Sequence, residues 1–322
     1  MSRRGVIGLA AVVAGAIAIA AISGCFRGEG MTPLMLAAHG GSLASLKRGI
    51  AEGEDVNARS SYGWTALMFA SWKGHREHVV ALLDAGADPN LVSGAVPSRF
   101  ETVAGTPPTT ALREAISNGH LDIARLLMSR GAKVEAGAAV AAAGKDDRAL
   151  LEELDRRGVD WNEACPHMWH GTPLRAAAAA GNRKNIDWLL RHGANVNLVA
   201  GSPALKEAVD DDDPETVRFL LERGADPNLV YWSSDTVLFH ATTKYVEDYH
   251  YKDNLEVIRL LLKHGADRNH RATSDKVTAL ELLHIQKSNS AKYLRDAKTP
   301  EIRARHEASD RHREAVMKLL DS

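Results

Sequence analysis

The chain has 322 residues, 45% of them hydrophobic and 25% charged, with a formal net charge of −1. That composition excludes a disordered polymer, and the balanced charge exerts no long-range pull toward nucleic acid or anionic lipid. Aromatic residues make up only 5%, and two cysteines, Cys25 and Cys165, are too few for a disulfide scaffold, so small alanine- and leucine-rich helices are the expected building material.

The first element is an address. Arg3 and Arg4 precede an uncharged apolar run from Val6 to Ile22, which ends in Ile22-Ser23-Gly24-Cys25. A positive flank followed by an apolar stretch of this length is what a secretion channel reads. The closing residues resemble the lipobox of bacterial lipoproteins, where small residues let the peptidase close on the backbone just before the acylated cysteine. The resemblance implies a lipoprotein signal peptide over residues 1–24, a lipid on Cys25 and a short tether over 25–30. An uncleaved anchor helix is the alternative, and either one puts the remainder outside the cytoplasm. Phe26 stands where an aspartate would mark inner-membrane retention, which points to the outer membrane of a bacterial envelope, facing the periplasm. With Cys25 acylated, Cys165 has no intramolecular partner, and burial is its expected protection.

From Thr32 onward the chain repeats itself. Thr32-Pro33-Leu34-Met35-Leu36-Ala37-Ala38 opens a unit closed by Gly53 and Asp55-Val56-Asn57. Thirty-three residues after Thr32, Thr65-Ala66-Leu67 opens another, closed by Gly86-Ala87-Asp88-Pro89-Asn90. Further openings stand at Thr110, Thr172-Pro173-Leu174, near Pro203, at Thr236 and at Thr278. Residues 135–162 keep Leu150, Leu151, Leu154 and the closing Gly158 to Asn162 but not the opening, which makes a degenerate fourth copy. Threonine can cap a first helix, and proline at its first position is preset in φ. Alanines let short helices pack closely, paired leucines enter a shared core, and glycine turns the chain where φ must be positive. Asp-x-Asn then shapes the turn into the next unit.

These units resemble the ankyrin repeat from residue 31 to the C-terminus. The resemblance implies an all-α ankyrin-repeat solenoid of about eight helix-turn-helix repeats over residues 31–322, with insertions near 91–108, 242–253 and 286–310. The histidine usual in that family after Thr-Pro-Leu is replaced by Met35, Met68, Arg113, Arg175, Lys206, Phe239 and Glu281. Its hydrogen bonding between repeats must be met otherwise or lost, so modest stability is expected.

In ankyrin arrays the position just before the threonine and the position seven after it point into a concave face. By that rule the partner-binding face comprises Met31, His39, Trp64, Trp72, Thr109, Ser117, Asp210, Asp235 and Thr243, with Gly171, Ala179 and Ser202 in the same register. Trp64 and Trp72 are expected as exposed anchors, since tryptophan is enriched in binding hot spots; the alternative folds one or both back under the 91–108 loop. Trp188, in a second helix, is expected in the core. In the run Asp210 to Asp213, Asp213-Pro214-Glu215 reads as a helix cap rather than as a calcium site.

Cys165-x-His167-x-x-His170 is the one metal-like cluster, and its spacing matches no usual zinc frame. No phosphate loop or nucleophile elbow stands out. The expectation is therefore a non-catalytic binding module without cofactor or metal, whose partners are another protein and, through the lipid, the membrane, but not nucleic acid. An immunity protein that blocks a periplasm-delivered effector such as a phospholipase fits that description. The alternatives are a structural envelope scaffold, or a metal-binding protein using Cys165, His167 and His170.

Overall fold

The computed structural model describes residues 30–94, 108–165, 171–231, 235–247, 254–272, 276–296 and 299–322. The expected signal peptide, Cys25, most of the 91–108 insertion, His167 and His170 lie outside them. The described residues form sixteen helices and, in place of strands, three isolated β-bridges. No described helix is long and apolar enough to cross a membrane. The chain divides into two compact units between Ala138 and Ala139.

The first unit holds α1 (Pro33–Gly40), α2 (Leu43–Ala51), α3 (Ala66–Lys73), α4 (Arg76–Asp84), α5 (Ala111–Ser117), α6 (Leu121–Ser129) and the start of α7 (Ala136–Ala143). The second holds the rest of α7, then α8 (Arg148–Arg156), α9 (Pro173–Ala179), α10 (Arg183–Arg191), α11 (Ala204–Asp210), α12 (Pro214–Glu222), α13 (Val237–Glu247), α14 (Leu255–Lys263), α15 (Ala279–Asp296) and α16 (Pro300–Asp321). Each repeat is a helix pair, and the all-α expectation holds.

The helices begin where the sequence says they should. Thr32, Thr65, Thr110 and Thr172 each accept, through Oγ1, the backbone N–H three residues on, at 3.1–3.3 Å. Thr278 and Glu281 satisfy each other reciprocally as a capping box, at 3.2 and 2.8 Å. The leucine after each opening but the last is buried, as is one leucine of each second-helix pair, such as Leu82, Leu127, Leu189, Leu220 and Leu261. Eight-residue helices are marginal alone, so their stability comes from this shared packing.

The turn tips carry a second device. Asp55, Asp88, Asp160, Asn195, Asp226 and Asp267 each accept, through Oδ1, the N–H of the asparagine two residues on, at 2.8–2.9 Å. That asparagine then clasps the next repeat. Asn197 donates to Gly224 O at 3.0 Å and accepts from Asp226 N at 2.8 Å. Asn57, Asn90, Asn162 and Asn228 do the same. In the third repeat the motif reads Lys133-Val134-Glu135, and Glu135 instead accepts from Thr110 Oγ1 of its own repeat at 3.1 Å.

The work of the missing histidine is redistributed. His75 donates to Ala38 O (3.0 Å) and His120 to Trp72 O (3.1 Å), each tying a second helix to the end of the preceding repeat's first helix. In the second unit Asn185 reaches Ala143 O and Lys145 O at 2.9 and 2.6 Å. Arg175, in the histidine's own position, forms a largely buried ion pair with Glu207 of the next repeat at 2.7 Å.

Two insertions take a form other than the one expected. Residues 286–296 extend α15 and residues 300–310 begin α16, so the last segment joins two long helices rather than separating two short ones. Lys287 pairs with Glu314 across them at 2.8 Å. Likewise α13 runs on to Glu247, well into the insertion expected at 242–253. The predicted cap at Asp213 is present: it accepts from Thr216 N, with Pro214 in the first turn and Glu215 beside the positive helix end. Asp212 just before it has φ +54°, a left-handed conformation that Gly41, Gly74, Gly119 and Gly181 supply in other repeats.

Candidate protein-binding surface

The two register positions behave differently. Of the residues just before each capping position, Trp64, Thr109, Gly171 and Ser202 are buried, while Met31 and Asp235 are half-buried. Of those seven after it, Ser117 is exposed and His39, Trp72, Ala179, Asp210 and Thr243 are half-buried. The expectation that both sets face solvent is corrected for the first. The residue before the cap belongs to a narrow hairpin tip, bridged as Ala200 to Ser202 and Tyr231 to Asp235, and the tip folds its side chain inward.

Trp64 illustrates the correction. Ser60 Oγ accepts its N–H at 3.1 Å and Ser60 N donates to its carbonyl at 2.9 Å, which closes the tip. The ring is 4% exposed and lies against Phe69, with centroids 5.0 Å apart, and edge-on to Trp72 at 6.0 Å. Thr109, also 4% exposed, donates from its N–H to Ser93 Oγ at 2.9 Å and from its hydroxyl to Glu114 at 2.7 Å. Neither is an exposed anchor.

Trp72 remains accessible. It stacks at a tilt on His39 (5.6 Å) and carries the Lys73 ammonium 3.9 Å above its ring. His39 also meets Phe69 edge-on at 5.8 Å. Burial lowers the pKa of His39 below its ordinary 6.5, and the charges of Lys73 and His75 lower it further, so the imidazole is neutral at pH 7.

In the second unit the same register carries charge. Asp210, at the end of α11, accepts from His240 Nε2 at 2.7 Å and pairs with Lys206 one turn back. Those hydrogen bonds and charges overcome its burial and hold the carboxyl far below the usual carboxylate range. Tyr231 packs beside them, its phenol pushed well above 10 by burial and then by the charges of Asp210 and Asp235. Thr243 donates its hydroxyl to Phe239 O at 2.8 Å, which ties it to its own helix.

Of the aromatics expected elsewhere, Trp188 is in the core as predicted, edge-on to buried Trp161 and stacked on His192 at 3.8 Å. Cys165, expected buried, is half-exposed. No group of three or more metal-capable side chains occurs among the described residues.

A family model described as ankyrin repeats (3 copies) matches residues 10–93 and 139–231, more than half of the chain. A model of the single ankyrin repeat matches residues 109–138. A Rickettsia felis protein named for its ankyrin repeats is 31% identical over 163 residues, which are 49% of this chain and 70% of that protein. A fowlpox virus ankyrin repeat protein is 32% identical over 142 residues, 43% of this chain and 40% of its own length. The bovine mitochondrial disaggregase is 40% identical over 93 residues, 28% of this chain and 14% of its own length. The chain thus spans less than half of these last two relatives. Among solved structures, a human ankyrin repeat domain, that of ASB11, covers 87% of this chain and 98% of its own, at 23% identity and a TM-score of 0.44. A predatory endopeptidase from Bdellovibrio bacteriovorus in complex with its immunity protein matches with 60% of this chain and 99% of that chain covered, at 24% identity and a TM-score of 0.49. At such identities and TM-scores, neither likeness extends to what those proteins bind.

Proposed function

Because the chain belongs to the ankyrin-repeat family, we propose that it acts by binding another protein through the exposed ends of its first helices, without catalysis of its own. The observation that carries this reading is Trp72: a tryptophan left half-exposed on a helix whose other large apolar side chains, Leu67, Met68 and Phe69, are buried. Tryptophan in such a position supplies a large rigid contact area at low entropic cost, and it is over-represented where truncation weakens binding most. The helices that present it are held by packing and by the asparagine clasps, so a partner meets a preformed surface.

In the fuller form of the proposal, the module is held in a bacterial envelope by a lipid on Cys25, and its partner is a toxic effector entering the periplasm. The Ile22-Ser23-Gly24-Cys25 pattern supports the tether, and a rigid surface held near the bilayer suits an inhibitor of an enzyme that attacks lipid. Replacing Cys25→Ser should release the protein from the membrane fraction and abolish the lipid mass; unchanged processing and fractionation contradict the tether. Deleting the gene should sensitise cells to a kin strain carrying the effector, and full resistance contradicts the immunity role.

A further inference from the structure

Tyr231 is 8% exposed, yet its hydroxyl makes no hydrogen bond. Asp235, its bridge partner across the turn tip, has an Oδ1 that is shielded from solvent and equally without a partner. A buried carboxylate oxygen and a buried phenol each lose favourable hydration, and both regain it only from a group that brings hydrogen bonds. Such orphans are rare in folded chains, and this pair stands together with three ionisable groups, Lys206, Asp210 and His240.

The electrostatics decide what kind of group fits. Asp235 is bridged to Tyr231 across the tip and Asp210 is paired with Lys206 beside the Tyr231 ring, and both carboxylates raise the phenol's pKa. The nearby positive group is Lys206, whose ammonium is taken up by Asp210 and sits 5.8 Å from the Tyr231 ring centre. Glu207, on the same helix, is paired with Arg175 and adds no net charge. Asp211 and Asp212 follow, so the end of α11 is acidic. An anion would be repelled here, whereas a cation with several donors could serve Asp235 Oδ1 and the phenol oxygen together and meet the ring face. A guanidinium carries five donors in a planar fork, which an ammonium does not.

We propose that the cluster of Tyr231, Asp235 and Asp210 at the junction of the sixth and seventh repeats receives an arginine side chain of the partner protein. The inference rests on reading the chain as a protein-binding module and names the chemistry of one anchor point. Asp210 and His240, each about a quarter exposed, form its rim, with side-chain exposures of 22% and 27%.

The test titrates the full chain with N-acetyl-Gly-Arg-Gly-amide, with the same peptide carrying citrulline, and with one carrying glutamate, followed by saturation-transfer NMR. The arginine peptide should give transfer, and its binding should exceed that of the neutral citrulline isostere about tenfold, because only the charged fork answers the Asp235 carboxylate. Asp235→Asn and Tyr231→Phe should each weaken arginine binding while leaving far-UV circular dichroism unchanged. Equal binding of arginine and citrulline, or arginine binding that survives both substitutions, overturns the proposal. Retention of a partner protein by wild type and by Asp235→Asn alike would overturn this anchor while leaving the binding function standing.

Discussion

The first two repeats and the sixth and seventh put very different chemistry at equivalent positions. In the former, Trp64, Phe69, Trp72 and His39 form an aromatic group that covers most of its own surface. In the latter, Lys206, Asp210 and His240 pair among themselves, while Asp235 Oδ1 and the Tyr231 hydroxyl beside them stay unsatisfied. Apolar groups satisfy one another without direction, so most of the aromatic group has become part of the core, with Trp72 and His39 left half-buried. Polar groups need matched geometry, so the charged group keeps vacant hydrogen-bonding capacity. A repeat register says where a side chain starts; its chemistry decides whether it is kept for folding or remains open to a partner.

The largest expected effect separates the two tryptophans. Trp64→Ala removes a fully enclosed ring and should cost about 3–5 kcal/mol of stability. Trp72→Ala, at a half-exposed ring, should cost about 1 kcal/mol or less. Urea midpoints at unchanged m-value measure both, and equal losses would erase the distinction drawn between the two positions.

Next comes the ion pair on the charged side. Arg175→Ala should cost about 3 kcal/mol, because it strands Glu207 in a largely buried site, whereas Arg175→Met combined with Glu207→Leu should recover most of the loss. A double mutant as unstable as the single would mean that the pair's charge, not its burial, is what matters.

The clasps give a smaller effect common to both regions. Asn57→Ala and Asn228→Ala each remove two hydrogen bonds between adjacent repeats and should each cost about 1 kcal/mol. Thermal melts would read this, and a loss at one site only would show that the tips contribute unequally.

The smallest effect is in pH, where the two regions titrate in separate windows. His39 has a folded pKa depressed below 6.5, so the unfolded chain takes up a proton first and stability falls as pH drops below about 6.5. Asp210 is depressed below 3.8, so its contribution is present at neutral pH and is lost only as pH falls below about 4. Accordingly, His39→Phe should flatten the stability profile between pH 6.5 and 5, and Asp210→Asn should converge on wild type below pH 4. Melting temperatures across pH 3–7 would check both.

The sequence made the scaffold legible, because its devices are local. Threonine caps, the Asp213-Pro214 helix start and the glycine turns each act within four residues, so a single string displays them. The clasps were half-visible: Asp-x-Asn announces its own turn, but not that the asparagine reaches Gly224 or Gly265 about a repeat further on. The surface was less legible. Register put Trp64 and Trp72 on one face, and nothing local to Trp64 states that the Ser60 tip turns its ring onto Phe69. Nor could spacing show that Tyr231 and Asp235, individually ordinary, would each leave a polar atom unpaired at one turn tip.

The account stands or falls on protein binding through the surviving half-exposed positions. The most direct measurement is affinity capture from envelope extract by the full chain, quantified in parallel for wild type, for Trp72→Ala with Asp235→Asn, and for Leu83→Ala on the second-helix side as a control. The account predicts a protein retained at stoichiometric yield by wild type and the control, and reduced at least tenfold by the double variant with its far-UV circular dichroism unchanged. Equal retention by all three would contradict it.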